Sequence, residues 1–145
     1  LAIGEGNLKN EMLELTKKLN ISDNIIFTGS IPHDDLPNFF ATADLFVLPS
    51  FSEGWPVAVM EAFGSGTRAI VTEIPVFEKH ELKEQLFSLV PVANSLSLSE
   101  VIIKELSSKS TQRSKSKYLR NYALNNFDWG YISNNYKNIF IDLID

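Results

Sequence analysis

Two carboxylates, Glu53 and Glu61, are separated by seven residues, the stretch Gly54-Trp55-Pro56-Val57-Ala58-Val59-Met60. The segment follows an apolar run, Leu45–Leu48, that reads as a strand, and it leads into a run that reads as a helix. It therefore lies at a strand's carboxyl end, with Glu53 in the loop and Glu61 more than one turn into the helix. Gly54 carries no Cβ and lets the backbone come close to a ligand. The amides near Val57 and Ala58 open the helix, and such an end suits a phosphate. Carboxylates repel phosphates, so the two glutamates need another purpose. They are good acceptors for vicinal hydroxyls, as on a ribose or a hexose. A sheltered charged acceptor contributes roughly 1.5–3 kcal/mol per hydrogen bond. The set fits a ligand with sugar on both sides of a diphosphate, which is a nucleotide sugar.

The rest of the chain must supply the scaffold. Its 145 residues are 44% hydrophobic and 21% charged, as in one ordinary globular domain. The lack of cysteine excludes a disulfide scaffold, a thiolate zinc site and a cysteine nucleophile. With 13 basic and 18 acidic residues the net charge is −5, which gives no hint of nucleic acid or anionic lipid as a partner. The apolar runs fall far short of the ~20 residues a membrane span needs. A basic leader is missing, and so is an initiator Met. Leu1-Ala2-Ile3 looks like a strand already under way, as in a piece of a longer protein.

Short apolar runs alternate with amphipathic ones. Strands are expected at Leu1–Ile3, Asn24–Thr28, Asp44–Pro49 (fully buried), Thr67–Thr72 and Phe87–Val92. Helices are expected at Leu8–Leu19, with Leu8, Met12, Leu15 and Leu19 on one face, and at Leu36–Thr42 behind Asp34-Asp35. Val57–Phe63 follows, with Pro56 suited to a first helical position. Others are Val76–Leu82, Ser99–Ser107 with Val101, Ile102 and Leu106 inward, Tyr118–Phe127 and Tyr131–Ile144. Ser107–Ser116 reads as a linker or an exposed helix start. The alternation predicts an α/β fold: a Rossmann-like parallel sheet with helices on both faces and ligands at the strands' carboxyl ends.

The segment around Glu53 and Glu61 closely resembles the E-x7-E signature of glycosyltransferase family 4, the "group 1" glycosyltransferases of GT-B fold. Other stretches follow in the same order. Leu1–Leu13 is similar to the family's strand, G-x-G turn and helix. Asn24–Gly29 and then Asp35-Leu36-Pro37 resemble "V-x-F-x-G … D-L-P". Ala43–Gly54 resembles "A-D-x-F-V-x-P-S-x-x-E-G". Leu89-Val90-Pro91 and Phe127-Asp128-Trp129 resemble "L-V-P" and "F-S-W".

The resemblance implies the C-terminal half of a GT-B fold without its first βα unit. Residues 1–145 would form a single nucleotide-sugar-binding lobe, closed by helices from about 112 to 144. The full-length parent would be an enzyme. It would transfer a sugar, with retention, from a UDP-, GDP- or ADP-linked donor to a saccharide, lipid or other acceptor held by the N-terminal lobe. The fragment alone would be inactive. No metal or other cofactor is implied, and the location would be cytoplasmic, peripheral to the membrane. Glu53 would contact the donor sugar and stabilise positive charge near the anomeric centre, and Glu61 would hold the ribose hydroxyls. Backbone amides of Gly54, Trp55, Val57 and Ala58 would reach sugar hydroxyls and the distal phosphate, while Pro56 offers none. Ser30 and Ile31 would lie against the base.

The sequence also departs from the pattern. The Arg and Lys of the family's first unit precede this chain. Arg68 stands where Pro is usual, and Glu73–Glu78 lacks a usual glycine pair. A degenerate, non-catalytic α/β module is the alternative reading. Plainer assignments hold elsewhere. Gly4-Glu5-Gly6 is a strand-to-helix turn, since Lys9 replaces the third glycine of a phosphate loop. His33 and His80 read as surface residues and supply no metal-ligand set. Phe127, Trp129, Tyr131 and Tyr136 read as a helix-packing cluster.

Overall fold

The short apolar runs do form strands and the longer amphipathic runs helices, in a computed structural model that describes residues 1–81, 83–107 and 112–143. In chain order the elements are β1 (Ala2–Ile3), α1 (Lys9–Lys18), β2 (Phe27–Gly29), α2 (Leu36–Thr42), β3 (Phe46–Leu48), α3 (Val57–Gly64), β4 (Ala69–Thr72), α4 (Pro75–Glu78), α5 (Lys83–Leu86), β5 (Phe87–Val90), α6 (Ser95–Ser107), α7 (Gln112–Phe127) and α8 (Trp129–Asp142). Among the described residues every strand pairing is parallel. Among the described residues the strands form two sheets, β1-β2 and β3-β4-β5, rather than one. The chain divides into two compact units, Leu1–Leu36 and Pro37–Asp145.

In the first unit β1 and β2 flank α1. The helix stops where Asn20 takes the left-handed conformation at φ 56°. There Asn20 N–H donates to Lys17 O and Ile21 N–H to Thr16 O, each at 3.0 Å, which satisfies carbonyls the helix leaves open. β2 starts later than expected because Ser22–Asn24 is drawn into a 3₁₀ turn. The apolar face of α1 forms, yet Leu8, Met12, Leu15 and Leu19 all stay exposed. Thr16 is buried instead, its hydroxyl bonded to Leu13 O at 2.8 Å and 3.2 Å from the Ser22 hydroxyl.

The core lies in the second unit. β4 is central, and all four of its residues are buried. β3, expected to be fully buried, is half-buried because it is an edge strand of that sheet. Val59 and Phe63 of α3 pack with Ala69 and Val71 of β4, Phe87 of β5, and Leu119 and Ala123 of α7. The Phe63 and Phe87 rings stack at 5.6 Å. α3 ends at Gly64, and the chain turns away at Gly66, whose φ of +81° suits glycine. Gly66 N–H and Thr67 N–H close the helix on Phe63 O and Ala62 O, both at 2.8 Å. The Ser116 hydroxyl of α7 donates to Gly66 O. The end of α3 is thus fixed against the helix that covers it.

Several helices differ from the sequence reading for local reasons. α6 begins at Ser95 rather than Ser99, because Asn94 Oδ1 accepts Ser97 N–H at 3.0 Å and caps the helix. Leu106, expected inward, is exposed; Glu105 takes the inward place in that turn and pairs with Arg68. α4 ends at Glu78, and α5 was not expected. Leu82, Ile144 and residues 108–111 lie outside the described residues. α7 starts at Gln112, ahead of the expected Tyr118. α8 starts at Trp129, where Asp128 Oδ1 accepts Gly130 N–H at 2.8 Å. Trp129, Tyr131 and Tyr136 are exposed, so only Phe127 of that expected cluster packs on the core.

His80 is also less exposed than expected. It is half-buried, 5.6 Å from the Phe87 ring, and its Nε2 shares a 3.1 Å hydrogen bond with the Tyr122 hydroxyl. Burial pushes the Tyr122 phenol above its ordinary value, and neighbouring Tyr118 adds to this. Folded Tyr122 then keeps its proton at a pH where the unfolded chain has lost it. The associated stability is complete below about pH 10 and is lost as pH rises through the folded pKa. Tyr122→Phe is expected to flatten the alkaline fall in unfolding free energy, as measured by urea titrations from pH 8 upward.

Candidate functional site

The loop that carries the candidate residues leaves β3 at Pro49 and enters α3 at Val57, at the carboxyl end of the β3-β4-β5 sheet. Two tertiary contacts and one bond within the loop hold it. The hydroxyl of Thr72, the buried last residue of β4, donates to Ser50 O. Ser50 Oγ donates to Glu53 Oε1 at 2.6 Å. The Trp55 ring meets Phe127, at the end of α7, edge to face at 5.7 Å.

Pro56 is buried and sits one place earlier than expected, at the cap of α3 rather than inside it. Its φ of −80° and ψ of 78° make an inverse γ-turn. Proline's ring holds that φ. The turn directs Val57 N–H to Trp55 O at 2.9 Å, and Val59 N–H reaches Pro56 O at 3.0 Å. The Val57 amide, expected to face a phosphate, is therefore engaged inside the loop. Ala58 follows in the first helical turn, where amides precede the i→i−4 ladder.

Glu53 and Glu61 are both half-buried, and neither is sunk in the interior. Glu61 projects from α3, whose Val59, Ala62 and Phe63 are the fully buried residues. A Cβ placed on Gly54 would meet no atom within 4 Å, and its φ is not left-handed. The loop's own packing makes no demand for glycine there. Ser30, exposed, and Ile31, half-buried, follow β2 in the first unit.

Beside the loop opens a hollow of about 250 Å³ lined by Pro49, Phe51, Thr72, Val90, Asn94 and Leu98, among others. Sequence reasoning missed Ser50 and Thr72 as parts of the site. The usable signal was position, since Thr72 ends a strand beside the one that feeds the loop. Among the described residues no group of three or more His, Asp or Glu is placed to hold a metal ion. No described helix is long and apolar enough to cross a membrane.

Residues 1–125 match a family profile described as "Glycosyl transferases group 1". The chain is 38% identical over 68 residues to mannosylfructose-phosphate synthase of Agrobacterium fabrum, covering 47% of this chain and 15% of that protein. It is 26% identical over 146 residues to the UDP-Gal:alpha-D-GlcNAc-diphosphoundecaprenol alpha-1,3-galactosyltransferase of Escherichia coli, covering 98% of this chain and 36% of that one. Sucrose-phosphate synthase from Thermosynechococcus elongatus superposes with a TM-score of 0.84 at 24% identity, over 96% of this chain and 35% of its own. The fold is that of the C-terminal lobe of such GT-B proteins, and the chain spans little more than a third of their length, or less.

Proposed function

The chain belongs to the glycosyl transferases group 1 family, and on that premise we propose that it binds the nucleotide-sugar donor for a retaining glycosyltransferase. The observation that carries this reading is the β3–α3 connection, where Glu53 of the loop and Glu61 of α3 are both half-buried and Gly54 is unobstructed. Glu61 accepts hydrogen bonds from the ribose hydroxyls. Glu53 accepts from a hydroxyl of the transferred sugar. Its negative charge lowers the energy of the positive anomeric centre that forms as the nucleoside diphosphate leaves. The absent Cβ of Gly54 lets the donor approach the backbone, and the amides of Gly54, Trp55 and Ala58 face sugar and distal phosphate. Val57 and Pro56 shape the turn.

The E. coli relative is named for a UDP-linked sugar and a lipid-diphosphate acceptor, which puts UDP-sugars and such acceptors first among candidates. The full-length enzyme would then work in the cytoplasm, at the membrane face. The carboxylates hold hydroxyls directly in this scheme, and it calls for no metal.

Thermal unfolding of the chain with UDP-glucose, UDP-galactose, GDP-mannose, ADP-glucose and the bare nucleotides tests donor binding. A donor at a hundred times its Kd is expected to add about 2.7 kcal/mol. No shift with any of them at millimolar concentration would count against donor binding and favour a non-catalytic α/β module, which sugar transfer by the full-length protein would decide against. Retention is read by the anomeric configuration of the product formed by the full-length protein.

A further inference from the structure

We propose that Ser50 is a positioning residue for Glu53, and that it transmits the rigidity of the central strand to that carboxylate. The inference rests on the donor-binding reading and deepens it. The Ser50–Glu53 distance of 2.6 Å is in the range of a hydroxyl donating to an ionised carboxylate. Alone, such a bond three residues apart would only shape a loop. Ser50 is itself anchored, however. Its carbonyl receives the Thr72 hydroxyl, and Thr72 is 2% exposed and pairs with Val90 in the β4-β5 ladder.

The chain of contacts runs from a buried strand end to a loop carbonyl, and from the same residue's hydroxyl to Glu53 Oε1. A glutamate has three rotatable side-chain bonds, and in an otherwise open loop it would sample many rotamers. Ser50 selects among them and occupies one acceptor site of the carboxylate. The remaining acceptor sites stay for a ligand hydroxyl. The effect should be confined to the part of the ligand that Glu53 touches.

Calorimetric titration of the whole chain tests this. UDP-glucose, UDP-galactose and GDP-mannose are each compared with their bare nucleotide, UDP or GDP. Ser50→Ala is expected to weaken binding of the nucleotide sugar about tenfold while leaving the bare nucleotide unchanged. Ser50→Thr, which keeps the hydroxyl, restores the affinity. On a Glu53→Ala background, Ser50→Ala has no further effect, because the group it positions is gone. Ser50→Cys, nearly isosteric with a poor donor, gives the same loss as alanine and serves if the alanine variant folds badly.

If the wild type binds both compounds and Ser50→Ala weakens both equally, or neither, the positioning role is overturned and donor binding stands. Full additivity with Glu53→Ala overturns it too. If the wild type binds no nucleotide and no nucleotide sugar, the donor-binding reading falls and this inference falls with it.

Discussion

Glu105→Ala is expected to lower the unfolding free energy by about 3–5 kcal/mol, a large share of what holds a domain of this size together. Arg68 lies just before β4 and is 7% exposed. Its guanidinium pairs with Glu105 of α6 through Nη1, and Nη2 donates to the Glu105 carbonyl at 3.1 Å. The other carboxylate oxygen accepts from Ser88 of β5 at 2.7 Å. One carboxylate therefore ties a helix to a strand and to the entry of the strand beside it. Alanine would leave the guanidinium buried without its counter-charge. Replacing both partners with apolar residues of similar volume, Arg68→Met with Glu105→Leu, should recover most of the loss, since neither charge then needs compensation. Urea unfolding of the wild type, the alanine variant and the double variant measures this. A loss below about 1 kcal/mol for Glu105→Ala would mean that water reaches the pair and screens it.

Glu61→Ala is expected to weaken nucleotide binding about thirtyfold, or about 2 kcal/mol. The loss should be the same for UDP and for UDP-glucose, because the ribose is common to both. That equality separates Glu61 from Ser50 and Glu53, whose effects should follow the sugar alone. Glu61→Gln keeps an acceptor oxygen without the charge and should lie between. An unchanged Kd for Glu61→Ala, measured by calorimetry with UDP, would remove the ribose role.

The sequence displays what is local. Apolar runs as short as Ala69-Ile70-Val71 reveal a buried parallel strand, and the spacing of Glu53, Gly54 and Glu61 marks a strand-to-helix loop. Contacts between distant residues leave no local trace. Arg68 reads only as a departure from the family pattern, because Glu105, its partner, is 37 positions away. Ser50 and Thr72 are 22 apart, so the support of Glu53 is invisible in the motif that contains it. The engaged Val57 amide is a different case. It is local, but it depends on the ψ of Pro56, which proline's ring leaves open. Hydrophobic spacing also shows which face a helix has without showing what covers it. Leu8, Met12, Leu15 and Leu19 are aligned on α1 yet exposed, and so are Trp129, Tyr131 and Tyr136.

The Trp55–Phe127 contact has a practical consequence. The protein has two tryptophans, and the other, Trp129, is 81% exposed. Trp129→Phe would leave a single indole, mounted on the loop between Gly54 and Pro56 and resting against an aromatic ring. Fluorescence from that variant would report on this one loop, giving it a built-in optical probe that needs no attached dye.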